Sequence, residues 1–254
     1  MRRELLYNPR LLCERLAIES IRRRRLERLY STPGEQLSSG HIDSLELLEL
    51  AAQSGIKTVY DVGANVGTWS LLAKSIIPDA ELHAFEPLPK HQDGFVDNVS
   101  GVGNITLHRI ALGSESKNAT LHITDFSDES SMLAPAPASK SGFGIQEVQQ
   151  FPIQLVRLDD YRAVQKLPWP DLIKLDVQGY ELEVLKGARE CIRATKAVLS
   201  EVSFVDYYEG QCHFHEVVGY LAETGLFVHA FGINTSVGRA IGQTDVLFMR
   251  KISR

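Results

Sequence analysis

Residues 61–67, Asp61-Val62-Gly63-Ala64-Asn65-Val66-Gly67, follow a short β-branched and aromatic run at 58–60 and precede a stretch of helical spacing at 69–74. Strand, glycine turn and helix in that order make a ligand cradle at the carboxyl end of a parallel strand. Gly63 and Gly67 carry no Cβ, so the backbone can turn sharply and a ligand can lie against it. An ordinary α/β turn would have the same outline. A nicotinamide site would show G-x-G-x-x-G, and here Asn65 and Thr68 occupy the second and third glycine positions. Glu86 stands 19 positions after Gly67, at the end of the next strand pattern, where Rossmann-like sites place an acid against ribose hydroxyls. Further along, residues 172–177 are apolar except for Lys174 and Asp176, which share one strand face. A charged pair in an apolar strand is costly unless it is paired or functional. An open α/β sheet gathers its ligands beyond the strand carboxyl ends, so Asp176 should meet the same crevice as Gly63. Side chains able to take a proton there are Asp176, Glu201, His213 and His215.

These residues need a doubly wound sheet to bring them together, and the chain has the pattern for one. Strand-like runs at 58–60, 81–87, 105–111, 172–177 and 197–204 alternate with helical stretches, and 226–231 and 244–250 form a terminal strand pair. A short extra strand at 119–124 has a candidate partner at 154–158. Asp43 or Ser44 is placed to cap a helix through Leu45, Leu47, Leu48 and Ala51, which Gly55 stops. The Ser/Ala/Pro/Gly-rich stretch 127–144 reads as a surface loop or as a lid over the crevice.

The chain has 254 residues and a net charge of −5, enough for one α/β domain with an appendage and unlike a general nucleic-acid binder. Three scattered cysteines give no disulfide framework. The first residues lack the apolar core of a signal peptide and no uncharged run has the length of a membrane span, so the expected location is cytoplasmic. Residues 1–40 read as a basic helical extension and 41–254 as the main domain. Asn8-Pro9 starts a helix that runs to about Tyr30, with Leu12, Leu16, Ile21, Leu26 and Leu29 as its apolar contacts. Residues 1–30 hold nine arginines against four glutamates, a balance of +5 on an acidic body. Arg22 to Arg25 is either a solvated face or a contact with a second subunit or the anionic inner membrane surface. Gln211-Cys212-His213-Phe214-His215-Glu216 does not have the spacing of a zinc site.

The motif D-x-G-x-N-x-G resembles the first motif of S-adenosylmethionine-dependent methyltransferases, and the whole set is similar to the FkbM family. The matching pieces are D-V-G-A-N-V-G at 61–67, A-F-E-P at 84–87, A-L-G at 111–113, S-S-M-L at 130–133 and L-D-D at 158–160. They continue with I-K-L-D-V-Q-G-Y-E-L-E-V-L-K-G-A at 173–188, the most specific, and T-D-V-L-F-M-R at 244–250. The resemblance implies a Rossmann-like seven-strand methyltransferase sheet, mostly parallel with an antiparallel last strand. It implies methyl transfer from S-adenosylmethionine to a hydroxyl of a sugar, glycan or polyketide-like metabolite. Asp61, Gly63, Ala64, Asn65 and Gly67 would hold the methionyl part and Glu86 the ribose. Ala111 and Leu112 would lie near the adenine and Asp176 near the reactive methyl, with Asp176, Glu201 or His215 as base. Some sugar methyltransferases use a divalent ion beside such an aspartate, so the resemblance leaves room for a metal that no spacing here indicates. A cofactor-binding module without turnover, or transfer to another acceptor atom, is the alternative reading.

Overall fold

The computed structural model describes residues 9–125, 130–137, 146–237 and 240–251. In chain order its helices are α1 (Pro9–Arg28), α2 (Leu45–Ala52), α3 (Thr68–Ile76), α4 (Pro89–Asn98), α5 (Leu158–Gln165), α6 (Glu181–Gly187), α7 (Arg189–Ala194) and α8 (Phe214–Glu223). The strands are β1 (Thr58–Val62), β2 (Glu81–Phe85), β3 (Ile105–His108), β4 (Ala111–Leu112), β5 (Lys117–Thr124), β6 (Glu147–Val156), β7 (Leu172–Leu175), β8 (Ala197–Ser203), β9 (Leu226–Val237) and β10 (Ala240–Arg250).

A seven-stranded sheet runs β3-β2-β1-β7-β8-β10-β9. Strands β3 through β8 pair in parallel, and β10 is antiparallel to both β8 and β9. This is the expected fold, with the last strand inserted in reverse. β1 and β7 are buried on both faces, as strands covered by helices on both sides must be. Chain order reverses between β1 and β7, which opens a crevice at their carboxyl ends.

The expected strand at 105–111 is two strands. β3 ends at His108, and after Arg109, whose guanidinium donates to Gln92 Oε1 at 2.7 Å, the chain leaves the main sheet. β4 then joins a second sheet, β4-β6-β5. β5 and β6 are longer than the sequence suggested, and Leu88, Ala111, Leu121, Ile153 and Leu155 form the core beneath them. The terminal hairpin is longer too, and Arg250 fixes its end. That guanidinium donates to the carbonyls of Ile192, Arg193, Thr195 and Thr224, at or just past the ends of α7 and α8.

Two expectations near the N-terminus change. Ser44 occupies the cap position of α2, but its hydroxyl accepts from Trp69 Nε1 at 3.1 Å rather than from the helix amides. The arginine run is not a uniformly solvated face. Arg22, Arg25 and Arg28 recur at helical spacing and meet Asp43, Glu46 and Glu49, while Arg23 and Arg24 face solvent. Leu29 is in the core, but Leu16 and Ile21 stand 61% and 48% exposed instead of packing. Leu12 falls among the residues whose side chains lie outside the description.

Arg25 is the buried member of this set. Its Nε donates to Glu46 Oε1 at 2.6 Å, and its Nη1 lies 3.7 Å from Asp43. Arg25→Ala should therefore cost about 1–3 kcal/mol, because it removes the buried guanidinium that Glu46 and Asp43 share. A thermal melt reads this directly, and an unchanged midpoint would show that Arg25 adds nothing to the attachment of α1 beyond what Arg22, Arg28 and the apolar contacts supply.

Candidate active site

A cavity of about 430 Å³ opens at the β1/β7 switch point, within the size range of small-molecule sites. Gly63, Ala64, Asn65, Glu86, Ala111, Leu112, Asp176 and Glu201 all line it.

The glycine turn is built by close approach. The Gly63 and Ala64 amides both donate to the Phe85 carbonyl at 3.1 Å. Gly63 has φ +78°, and a Cβ there would lie 1.9 Å from the Asp176 carbonyl oxygen. Only glycine lets the tips of β1 and β7 meet this closely. Gly67, at φ +83°, caps α3 in the left-handed region, and a Cβ would press on Phe95 at 2.9 Å. It shapes the turn and is absent from the cavity wall.

Glu86 holds the rim. Its Oε2 accepts from the Asn65 amide at 2.9 Å and its Oε1 from the Leu88 amide at 2.8 Å. It thus joins the first turn to the start of α4 while facing the cavity, with the apolar surface of Phe85, Ala111, Leu112 and Leu121 beside it.

Asp61 is fully buried and off the cavity wall. Its Oδ2 accepts from the Ser70 hydroxyl at 2.7 Å, and its Oδ1 lies 3.3 Å from Lys174 Nζ. Burial raises its pKa against the pull of Lys174. Lys174 also donates to the Gly63 carbonyl at 3.1 Å and lies 3.5 Å from Asp176 Oδ2. Burial opposes its charge, but Asp61, Asp176 and Asp245 outweigh that and raise its pKa, so it remains an ammonium. Asp176 is the exposed end of this chain of charges, its side chain 35% accessible.

The turn after β7 is braced from behind. Glu181 Oε1 accepts from the Val177 and Gly179 amides at 3.0 and 3.2 Å, so this residue orients the helix start. Gln178 Nε2 donates to Asp176 Oδ1 at 2.9 Å, and Tyr208 donates to Gln178 Oε1 at 3.1 Å. The Ser131 hydroxyl donates to the Gln178 carbonyl at 2.6 Å, which lays the 130–133 piece across this turn. Most of the remaining loop stretch, 126–129 and 138–145, lies outside the described residues.

Glu201 meets a partner that sequence reading did not single out. In the antiparallel β8/β10 register Glu201 faces Asp245 directly, and both line the cavity. Gln243 Nε2 donates to Glu201 Oε1 at 2.7 Å. Burial, then repulsion from Asp176 and Asp245, raises the Glu201 pKa well above the ordinary range. Burial and Asp176 push Asp245 up to about 7, with Lys174 opposing. Like charges opposed across a ladder repel, so this pair retains a proton. Asp43, Ser44, Trp69 and Thr244 are also on the wall and carry no site signal in the sequence.

The structure does not bring His213 or His215 to the cavity. His213 caps α8 in a capping box with Glu216, and its Nε2 lies 2.8 Å from Asp206. The His215 ring stacks on it at 6.0 Å. Among the described residues no group of three or more His, Cys, Asp and Glu side chains is arranged to hold a metal ion. Among them, too, no helix is long and apolar enough to cross a membrane.

Strand order and cavity position are those of a Rossmann-like α/β fold with its crevice at the switch point. The methyltransferase FkbM domain profile matches residues 61–227, more than half of the chain, and the chain belongs to that family. It is 29% identical over 158 residues to hexuronic acid methyltransferase AglP of Haloferax volcanii, covering 61% of this chain and 59% of AglP. It is 24% identical over 170 residues to 2-O-methyltransferase NoeI of Sinorhizobium fredii, covering 64% of this chain and 70% of NoeI. The chain thus spans less than two thirds of AglP. Methyltransferase FkbM from Methylobacillus flagellatus superposes at a TM-score of 0.49 with 17% identity, over 76% of this chain and 43% of that one.

The Asp245 carboxyl has a measurable consequence. Its folded value near 7 exceeds the ordinary 3.8, so the native state keeps a proton that the unfolded chain releases. Stability should fall as pH rises between those values. Asp245→Asn removes this loss. Its melting temperature relative to the parent should climb by several degrees from about pH 4 to pH 7 and then level off. A pH-independent difference would show that Asp245 is not held protonated.

Proposed function

We propose that this protein transfers a methyl group from S-adenosylmethionine to a hydroxyl oxygen of a sugar, glycan or polyketide-like metabolite. The observation that carries the reading is one cavity holding the Gly63–Asn65 turn, Glu86 with its apolar neighbours, and Asp176 with Glu201. The names of AglP and NoeI, one a hexuronic acid methyltransferase and one a 2-O-methyltransferase, support a sugar hydroxyl as acceptor.

The residues fit that cofactor. The backbone of the Gly63 turn would receive the methionyl part, Glu86 the ribose hydroxyls through its remaining lone pairs, and Ala111 and Leu112 the adenine. When bound, S-adenosylmethionine would supply a methyl carbon already activated by its sulfonium. The chain must then align an acceptor oxygen and take its proton. Asp176 is suited to the proton, being accessible and oriented by Gln178 and Lys174. Glu201, whose pKa burial raises well above the ordinary range, is suited to donating a hydrogen bond to the acceptor. Cytoplasmic location and a contact of the exposed Arg23 and Arg24 with an anionic surface or a second subunit belong to the same reading.

Titration calorimetry should give binding of S-adenosylmethionine and of its demethylated product, and none of NAD; NAD binding alone would end the proposal. Glu86→Gln should weaken cofactor binding by about 1–3 kcal/mol. An unchanged affinity would remove Glu86 from the site.

Asp176→Asn should lower turnover by about 10²–10⁴-fold while cofactor affinity changes little. If Asp176 only neutralises Lys174, the same variant loses thermal stability and keeps its turnover, so both quantities are measured on one preparation.

A further inference from the structure

We propose that Tyr208, which lies off the cavity wall, is a positioning residue for the methyl transfer: its hydroxyl sets the side-chain amide of Gln178, and through that amide the aim of Asp176. The inference rests on the reading of Asp176 as the proton acceptor given above.

The turn after β7 carries a glutamine where glycine would sit more easily. Gln178 has φ +55°, in the left-handed region that glycine enters freely and other residues do not. Gly179 follows at φ +91°, and a Cβ there would meet Gln211 Cβ at 2.7 Å. A residue held in such a conformation on a cavity wall points to a task for its side chain.

That task is visible in the hydrogen bonds. Gln178 Nε2 donates to Asp176 Oδ1 at 2.9 Å. The amide must present its NH2 here, because an ionised carboxylate only accepts. Its Oε1 is thereby turned toward Tyr208, whose hydroxyl donates to it at 3.1 Å. The opposite amide orientation would set two acceptors against each other at Asp176, so the Tyr208 proton favours the orientation that serves the carboxylate. Asp176 Oδ2 lies 3.5 Å from Lys174 Nζ. One oxygen is thus fixed by a charge-assisted hydrogen bond and the other by an ammonium.

Tyr208 is itself held in place, with 4% of its surface exposed. Gln211 Oε1 accepts from the Tyr207 and Tyr208 amides, each at 2.9 Å, and Gln211 Nε2 donates to the Val205 carbonyl at 2.6 Å. A β-bridge between Pro135 and Tyr208 ties this loop to the segment whose Ser131 hydroxyl donates to the Gln178 carbonyl. Gln178 is therefore gripped by its side chain from one distant segment and by its backbone from another. The carboxylate is aimed before an acceptor arrives.

The test is transfer of labelled methyl from S-adenosylmethionine to methyl glucoside, methyl galactoside and methyl glucuronide, with kcat and KM taken on the one that reacts fastest. Tyr208→Phe keeps the ring and loses the hydroxyl. It should lower kcat about three- to tenfold, the worth of one hydrogen bond, and leave KM for both substrates near the parent's. In an Asp176→Asn background the same substitution should change kcat by less than about twofold, because its route to the reaction is gone. Gln178→Asn tolerates the left-handed backbone and keeps an amide, but one carbon shorter it no longer spans Asp176 and Tyr208. Its melting temperature should stay within about five degrees of the parent's while kcat falls about tenfold or more, which separates aim from fold. A Tyr208 that only braced its loop would lower the melting temperature and leave kcat intact. That result, or an equal loss in both backgrounds, overturns this inference and leaves Asp176 as the base. Full kcat in Asp176→Asn removes Asp176 as the base, and the inference falls with it. If none of the glycosides reacts, the sugar-hydroxyl reading fails and takes the inference with it.

Discussion

A buried ammonium holds the two halves of this sheet together. Lys174 sits where β7 meets β1, directly opposite Asp61 in the parallel register. An isolated charge in that position would be prohibitive, and it is tolerated only because Asp61, Asp176 and the Gly63 carbonyl surround it. Removing one partner of such a pair costs about 3–5 kcal/mol, because the other charge is left behind. The same contact fixes the crevice. With Gly63 drawn onto the backbone of Asp176 and the Asp176 amide donating to the Val62 carbonyl at 3.2 Å, the two strand tips form one rigid lip. Asp61 carries a structural charge there, and its influence on the cavity passes through Lys174 to Asp176.

Both turns at the lip use the same device. A buried glutamate accepts two backbone amides that a tight turn would otherwise leave unsatisfied: Glu86 for Asn65 and Leu88, Glu181 for Val177 and Gly179. Their settings separate their roles. Glu86 lines the cavity, whereas Glu181 points back toward Cys212, whose thiol lies 3.4 Å from it. Residue type and position in a motif are therefore not enough to distinguish a brace from a ligand-facing group, and the packing behind each side chain decides.

The parts of this architecture legible in the sequence are those encoded locally. The strand runs, the glycine turn, Glu86 downstream of it and the Lys174/Asp176 face all follow from period and composition over a few residues. What was not legible depends on pairing between distant segments. Asp245 becomes a site residue only because the antiparallel register of β10 sets it opposite Glu201, and register is a tertiary property. Arg22, Arg25 and Arg28 look like a solvated face until α2 supplies Asp43, Glu46 and Glu49. His213 and His215 have the chemistry of a base, yet capping α8 places them away from the cavity. The break between β3 and β4 escaped notice because both segments are apolar enough to read as one strand.

The two ends of the cavity also differ in where along the chain they come from. The residues of the first end, from Gly63 through Glu86 to Leu112, all fall within the matched 61–227 segment. Much of the acidic end does not. Asp43 and Ser44 precede that segment, and Gln243, Thr244 and Asp245 follow it. Asp43 is held by Arg22 and Arg25 of α1, and Ser44 by Trp69. The N-terminal helix is thus mechanically joined to one wall of the cavity, and the terminal hairpin supplies another. Substitutions in either flank can therefore reshape the acidic end while leaving the glycine turn and Glu86 as they are. The shape of the cavity therefore depends on the flanking segments at one end and on the family segment at the other.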